Sequence, residues 1–262
     1  MPERSSYAHG VPSWVDVASP DVDSSAAFYG DLFGWEHVPG ENPEETGGYG
    51  MFTKNGKLVA GIMALQNPEQ PPVWSTYVNV DDADDVVAKA KEAGGQIAMG
   101  PIDVMDAGRM AFLIDTTGAF IGIWQAGKHR GAELVSEPGA LGWNELATRD
   151  ADAAKAFYPA VFGWEATAWE GGEVPYTIWN VDGQGIGGMM AMGEQYPPEV
   201  PSHWMTYFMV EDADDAAAKA QELGGTVPVA PFDIPGVGRI SVLNDPHGTA
   251  FSVLAPVPQA DE

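Results

Sequence analysis

The side chains that most often carry chemistry are few and scattered in this chain of 262 residues. It contains no cysteine, which excludes disulfides, thiolate metal sites and cysteine nucleophiles. GQGIGG, residues 183–188, has the glycine spacing of dinucleotide sites, but it lies inside a predicted hairpin instead of between a strand and a helix. The chain has no G-x-S-x-G elbow and no P-loop lysine. No two of its five histidines stand at metal-ligand spacing: His9, His37, His129, His203 and His247.

The charge balance narrows the range of partners. Twelve basic residues oppose 38 acidic ones, which gives a formal net charge of -26. So negative a surface repels nucleic-acid phosphates and anionic lipid, so neither nucleic acid nor a membrane is expected as a partner. MPERSSYAHG lacks the apolar core of a signal peptide, and the apolar run LVAGIMAL is far shorter than a membrane span. We therefore expect a cytoplasmic protein.

The two halves of the chain are duplicates. A shift of 129 places residues 14–36, WVDVASPDVDSSAAFYGDLFGWE, on residues 143–165, WNELATRDADAAKAFYPAVFGWE. A shift of 130 places residues 74–95 on 204–225, and Asp115 and Gly118 on Asp245 and Gly248. GKHRGAELVSEPGA marks the junction. The sequence thus predicts an N-terminal tail at 1–13, domains at 14–126 and 143–256, a linker at 127–142, and a C-terminal tail at 257–262.

Within each half, the pattern of strand, helix and about three strands occurs twice. In the first part, a strand from Trp14 to Ala18 precedes Asp21, a good N-cap, and a helix that Gly34 ends. Asn55-Gly56, and Asp182-Gly183 in the second half, suit two-residue hairpin turns. In the second part, a strand at 75–80 precedes a helix with acids in its first turn and lysines later, which suits the helix dipole. Strands are predicted at 97–99, 109–114 and 120–125.

Four βαβββ modules, with FYGDLFGW or FYPAVFGW at the first helix of each half and DTTG or DPHG at the last hairpin, resemble the vicinal oxygen chelate superfamily. This is the group of glyoxalase I, bleomycin-resistance proteins and extradiol dioxygenases. The resemblance covers residues 14–126 and 143–256. It implies an α+β fold in which each pair of modules curls a mostly antiparallel sheet around a cup that holds a ligand or metal. Whether the modules pair within a half or between halves stays open.

The positions that bind metal in related proteins carry unsuitable residues here. Metal-dependent members place His, Gln or Glu on the first strand, His before the second helix and Glu near the end of the last strand. The corresponding residues are Trp14, Ser75 and Gly122 in the first half, and Trp143, Met205 and Ser252 in the second. Indole has no free lone pair and glycine has no side chain, so the resemblance predicts neither a metal nor another cofactor. His203 lies two residues before Met205, and three roles stay open for it: a ligand of a displaced metal site, a contact to the bound molecule, or a polar residue at a strand entrance.

If the family's inward positions are 14 and 143, strand alternation also turns Asp16 and Glu145 into the cups. Such a lining, rich in aromatic faces with a few polar groups, predicts a site for a small apolar or aromatic molecule. The predicted ligand-binding residues are Trp14, Trp74, Ser75, Tyr77, Arg109, Trp124, Trp143, His203, Met205, Tyr207, Arg239 and Ser252.

The two carboxylates have three possible roles. Burial would raise the pKa of Asp16 or Glu145 toward the range of a general base, which makes them the catalytic candidates. They could instead form buried pairs with Arg109 and Arg239, or contact a ligand. Trp35 and Trp164 are expected in the core, whereas Trp14, Trp74, Trp143 and Trp204 suit either core or ligand platform.

Three functions follow from these alternatives. The leading hypothesis is a metal-free protein, monomeric or homodimeric, that binds an aromatic or polyketide-like molecule in its cup. The second is an enzyme, either a glyoxalase-like isomerase or lyase or a hydroxylase acting without a bound metal. The third is a non-catalytic interaction protein whose second cup is filled by its own side chains.

Overall fold

The structure is a computed structural model that describes residues 3–41, 47–171, 174–194 and 196–257. Within these ranges, each half contains eight strands and two helices. The first half comprises β1 (Pro12–Ser19), α1 (Val22–Phe33), β2 (Glu36–Val38), β3 (Gly50–Lys54), β4 (Lys57–Ala64), β5 (Val73–Asn79), α2 (Ala83–Glu92), β6 (Gln96–Val104), β7 (Gly108–Ile114) and β8 (Phe120–Ala126). The second half comprises β9 (Leu141–Thr148), α3 (Ala151–Phe162), β10 (Glu165–Trp169), β11 (Tyr176–Val181), β12 (Gln184–Ala191), β13 (His203–Met209), α4 (Ala213–Glu222), β14 (Thr226–Ile234), β15 (Gly238–Asn244) and β16 (Ala250–Pro256).

Each half forms one eight-stranded sheet of its own. The strand orders are β2-β3-β4-β1-β5-β8-β7-β6 and β10-β11-β12-β9-β13-β16-β15-β14. At the centre β1 runs antiparallel to β5, and each of the two pairs in parallel with the last strand of its own module. The predicted α+β fold of four βαβββ modules is confirmed. Both modules of each cup come from the same half, which resolves the open question of pairing.

Local signals in the sequence place the elements. Asp21 caps α1 by accepting a 3.0 Å hydrogen bond from the backbone nitrogen of Ser24, and Gly34 ends the helix at φ 71°. The β3–β4 turn at Asn55-Gly56 has φ values of 53° and 74°, the positive angles of a type I′ turn. Asp182-Gly183 repeats them at 50° and 74°. The predicted caps and hairpins are confirmed. No helix of the described residues is long and apolar enough to cross a membrane.

The helices lie on one face of each sheet, and the two helical faces pack against each other. Phe208, on β13 of the second half, is fully buried among Phe33, Trp35 and Trp74 of the first half, with ring centroids 5.0–5.3 Å apart. Trp35 is buried here and its counterpart Trp164 is buried in a second core cluster, as predicted for core residues. The opposite, curved face of each sheet is left for the site and is called the cup face below.

Two buried hydrogen bonds link the halves and explain the repeated FY and D-x-x-G motifs. The Tyr29 hydroxyl donates to Oδ2 of Asp245 at 3.1 Å, and the Tyr158 hydroxyl donates to Oδ2 of Asp115 at 2.8 Å. The other oxygen of each aspartate accepts backbone N–H groups of its own hairpin turn, such as that of Thr249 at 2.8 Å. Each motif therefore fixes a turn in one half and anchors the first helix of the other.

Tyr29→Phe is expected to lower the free energy of unfolding by about 1–3 kcal/mol, because it leaves buried polar groups without a partner. The groups affected are the Asp245 carboxylate and the Trp74 indole N–H, which donates to the Tyr29 hydroxyl at 2.9 Å. Urea unfolding followed by circular dichroism measures the change. Tyr196→Phe is the control, since within the described residues that hydroxyl makes only a 3.8 Å contact to the Met190 sulfur. Equal stability of Tyr29→Phe and the parent protein would contradict the assignment.

Candidate ligand site

A buried carboxylate with two tyrosine hydroxyls lies at the centre of the first cup. Asp16 on β1 is 3% exposed. Its Oδ2 accepts hydrogen bonds from Tyr49 at 3.0 Å and Tyr77 at 2.9 Å. The indole N–H of Trp14 donates to the Tyr49 hydroxyl at 2.8 Å, which orients that hydroxyl toward Asp16. No described residue donates a hydrogen bond to Oδ1 of Asp16, so this oxygen is left for another partner.

The second cup repeats the arrangement with a glutamate. Tyr176 donates to Oε2 of Glu145 at 2.7 Å and Tyr207 donates to Oε1 at 2.9 Å. The Trp143 indole donates to the Tyr176 hydroxyl at 3.0 Å. Each oxygen of Glu145 thus accepts one tyrosine hydroxyl, whereas both tyrosine hydroxyls of the first cup bind the same oxygen of Asp16.

Strand alternation and two glycines make room for these groups. Along β1, Val15 and Val17 face the helices, so Trp14 and Asp16 face the cup. Gly61 on β4 is the register partner of Asp16, and a Cβ atom there would collide with the Tyr49 hydroxyl. In the second sheet, Gly188 is the register partner of Glu145, and a Cβ atom there would collide with the Tyr176 hydroxyl. The tyrosines can therefore reach across their sheets to the carboxylates.

Burial sets the acid–base character of the site. It raises the pKa of Asp16 to about 6, with the Tyr77 and Tyr49 hydroxyls acting in the opposite direction. Burial also raises the pKa of Glu145, again opposed by its two tyrosines. The pKa values of Tyr49 and Tyr77 lie well above the usual range, because burial and the adjacent carboxylate both disfavour phenolate. The carboxyl groups of both cups therefore hold a proton at higher pH than exposed carboxyl groups do.

An aromatic row leads from Asp16 to the surface of the first cup. The rings of Tyr77 and Phe112 are 5.2 Å apart, and Phe112 stacks on Phe120 at 4.5 Å and 22°. Phe120 is 41% exposed. Met99, the register partner of Phe112, extends the apolar surface. The shift of 130 residues puts Val242 and Ala250 at the positions of Phe112 and Phe120 in the second cup, so only the first cup has this row.

The linker closes one end of the first cup. The His129 ring packs edge-on to Trp14 at 4.4 Å and lies 5.6 Å from Trp124, whose indole donates to the His129 carbonyl at 2.9 Å. Burial lowers the pKa of His129 to about 4, so its ring is neutral at pH 7. Trp143, the counterpart of Trp14, is half-buried and lines a cavity of about 410 Å³. This cavity lies between the N-terminal tail, the linker and the β11–β12 turn, and Glu145, Tyr176 and Tyr207 do not line it.

Comparison with known families agrees with this geometry. The family described as "Glyoxalase/Bleomycin resistance protein/Dioxygenase superfamily" matches residues 12–123 and 140–253. The chain belongs to this superfamily. Its two matched regions correspond to the two sheets, so both halves are superfamily domains.

Relatives within the superfamily cover almost the whole chain. "Putative glyoxylase CFP32" of Mycobacterium bovis is 47% identical, over 99% of this chain and all of the relative. "Anthracycline biosynthesis protein DnrV" of Streptomyces peucetius is 38% identical, over 95% of this chain and 94% of the relative. Among solved structures, the 2,3-dioxygenase LapB of Pseudomonas sp. KL28 covers 94% of this chain and 92% of its own at a TM-score of 0.65 and 14% identity. The Mn(II)-bound glyoxalase of Novosphingobium aromaticivorans covers 94% of this chain and 83% of its own, with a TM-score of 0.62 and 15% sequence identity. These structural likenesses show the shared fold.

The superfamily's metal positions do not suit a divalent cation in this chain. Trp14 uses its indole N–H to bind Tyr49, Ser75 is the register partner of Asp16, and Gly122 lies beneath the Tyr77 ring. A single carboxylate beside indole, hydroxyl and glycine is a poor donor set for such an ion. Among the described ranges, no three His, Cys, Asp or Glu side chains are grouped so as to hold a metal.

The structure brings together most of the residues predicted to bind a ligand. Ser75, Tyr77 and Trp124 join Trp14 and Asp16 on the cup face of the first sheet. In the second sheet, Met205 is the register partner of Glu145, and Ser252 lies beside Tyr207. His203 lies at the rim, where its Nδ1 is 2.9 Å from the Pro201 carbonyl oxygen.

Three predicted contacts are wrong because the side chains lie on the opposite face. Trp74 precedes Ser75 on the strand, so it points into the core, where its indole binds Tyr29. Arg109 forms ion pairs with Asp84 and Asp103, at 3.0 and 2.8 Å, on the helical side of its sheet. Arg239 pairs in the same way with Asp214 and Asp233. The predicted Asp16–Arg109 and Glu145–Arg239 pairs are therefore replaced by tyrosine hydroxyls.

Sequence reasoning missed four residues of the site, namely Tyr49, Tyr176, Phe112 and Phe120. A signal existed for the tyrosines, because YGMFTK and YTIWNV, the segments before the paired hairpin turns, both begin with tyrosine. For Phe112, the alternation of its strand placed it with Met110 on one face, but nothing in the sequence showed which face was the cup. That assignment needed the pairing of β7 with β8.

Proposed function

We propose that the protein binds a flat, largely apolar aromatic molecule in its first cup, without a metal. The observation that carries the proposal is the row of Phe120, Phe112 and Tyr77, which ends at the Asp16 carboxylate. Aromatic walls with a few placed polar groups are the usual make-up of small-molecule sites. Offset stacking on Phe112 and Phe120 would hold the rings of the ligand.

Asp16 gives this site its polar selectivity. The hydroxyls of Tyr49 and Tyr77 occupy Oδ2, so a ligand hydroxyl would donate to Oδ1 of the carboxylate. A phenolic aromatic therefore suits the cup better than a hydrocarbon of the same shape. The name of the relative DnrV concerns the biosynthesis of anthracyclines, which are polycyclic aromatic compounds, and this supports the same ligand class.

The test is a titration of the whole protein with alizarin, a dihydroxyanthraquinone, followed by calorimetry. We expect the parent protein to bind alizarin saturably. The double variant Phe112→Val with Phe120→Ala carries the residues found at these positions in the second cup. It should bind about tenfold more weakly or worse, because two stacking partners are lost. Phe232→Ala, on the cup face of the second sheet and 43% exposed, is the matched control. Absence of saturable binding, or equal weakening in the control, would overturn the proposal.

A second candidate is an enzyme of the superfamily in which Asp16 transfers a proton. Two features of Asp16 favour this role: no described residue donates to its Oδ1, and its pKa is about 6. A general base works best when its pKa lies near the operating pH. A hydroxylase acting without metal and a glyoxalase-like lyase or isomerase both need such a group. A turnover assay of Asp16→Asn and Glu145→Gln shows which carboxylate transfers the proton, because only the variant of the catalytic residue should lose activity. Unchanged rates in both variants would exclude both carboxylates as catalytic residues.

A further inference from the structure

A separate cavity of about 970 Å³ lies where the linker crosses the end of the first cup. Four basic side chains line it: Arg4, Lys57, Lys128 and Arg130. The whole chain has only 12 lysines and arginines against 38 acidic residues. One third of its cationic side chains therefore meet at a single cavity, while the rest of the surface is strongly acidic.

The two arginines of this cavity have no ion-pair partner among the described residues. Lys57 pairs with Glu3 at 3.3 Å and Lys128 with Asp106 at 2.5 Å. Both pairs are exposed to solvent, and exposed pairs contribute little free energy, so the lysines can turn to a bound anion at small cost. The remaining acid of the lining, Glu133, accepts a hydrogen bond from the backbone nitrogen of Leu58 at 2.9 Å.

His129 adds a polar group to the same cavity. Its Nε2 is buried, and no described residue supplies it with a hydrogen-bond partner. The ring is held against Trp14 at 4.4 Å, so it lies between the aromatic cup and the basic cavity. A buried nitrogen without a partner costs free energy unless a ligand or water completes it.

We propose that this cavity is a binding site for a small polyanion of the phosphate or polycarboxylate type. Arg4 and Arg130 would contact the oxygens of the anion, since guanidinium groups match phosphate and carboxylate in a bidentate manner. Lys57 and Lys128 supply further charge, and His129 is the neutral hydrogen-bonding group. The site is distinct from the carboxylate and aromatic row of the cup, and it does not depend on the ligand proposed there.

Calorimetric titration of the full chain with inorganic pyrophosphate and with citrate tests this site, in 20 mM and 200 mM sodium chloride. We expect one saturable site that weakens at the higher salt concentration, because exposed charges are screened. Pyrophosphate binding alone identifies the phosphate type, and citrate binding alone identifies the carboxylate type. Failure of both anions to saturate at low salt overturns the proposal.

Charge-matched variants locate the site. Arg4→Gln with Arg130→Gln is expected to weaken binding at least about tenfold, because two charge-assisted contacts are lost. Lys91→Gln with Lys155→Gln removes the same charge from exposed positions on α2 and α3 and is expected to stay within about twofold. An equal loss in both double variants would mean a general effect of net charge and would overturn the assignment. Urea midpoints of both variants verify that they fold.

Discussion

Phe208→Ala is expected to lower the free energy of unfolding by about 3–5 kcal/mol, the usual cost of removing a buried phenylalanine. The reason lies in its surroundings, since this residue of the second half is enclosed by Phe33, Trp35 and Trp74 of the first half. The cavity would therefore open inside a core that both cups share. Because the halves support each other there, the protein should unfold in a single transition, and the variant should shift that transition as a whole.

Urea unfolding followed both by tryptophan fluorescence and by circular dichroism measures this effect. Phe232→Ala is the control, because it removes the same atoms from a side chain that is 43% exposed, and it should change stability by much less. Two separate transitions, with only one of them moved by Phe208→Ala, would show that the halves are independent domains and would contradict the shared core.

The features that the sequence could predict are those fixed by neighbouring residues. Asp21 caps a helix through the backbone three residues ahead, and Asn55-Gly56 turns a hairpin through its own backbone angles. Both signals occur twice, with Asp150 capping the counterpart helix and Asp182-Gly183 forming the counterpart turn. The superfamily resemblance placed Trp14 and Trp143 on the cup face of their strands. Strand alternation then placed Asp16 and Glu145, two residues further on, on the same face.

The features that escaped prediction depend on contacts between distant residues. Asp16 obtains its donors from Tyr49 and Tyr77, which are 33 and 61 residues away, and no local pattern specifies that meeting. The error at Trp74 was avoidable, since consecutive residues of a strand cannot both face the cup. The position of Arg109 could not be predicted in this way, because its partner Asp84 lies on a helix whose position over the sheet is visible only in the three-dimensional structure.

The two cups differ in their polar groups and in their aromatic lining. In the first cup both described donors bind the same oxygen of Asp16 and Phe112 stacks on Phe120, whereas in the second cup each oxygen of Glu145 accepts one tyrosine hydroxyl. The contacts between the halves lie on the helical faces, so the cup faces can differ without disturbing the shared core. Conservation of the fold and divergence of the site are thus physically separable in this chain.

Asp16→Asn is expected to remove a pH dependence of stability. The folded protein raises the pKa of Asp16 from 3.8 to about 6, so the folded state binds this proton more tightly than the unfolded state. Stability is therefore lost as pH rises from about 4 to about 6, and the loss is complete above the folded pKa. At 1.36 kcal/mol for each pKa unit, the total loss is about 3 kcal/mol, of which about 2 kcal/mol falls between pH 4.5 and 7.5. Asparagine does not ionise, so the variant should gain stability relative to the parent protein by that amount over this range.

Urea unfolding of both proteins at a series of pH values gives the difference directly, and contributions of all other titrating groups cancel in it. Asp31→Asn, which neutralises an exposed carboxylate at the end of α1, controls for the change in net charge. A constant difference between Asp16→Asn and the parent protein would show that the carboxylate is ionised in the cup at little cost. In that case the tyrosine hydroxyls would offset burial completely, and Asp16 would act on a ligand only as a fixed negative charge.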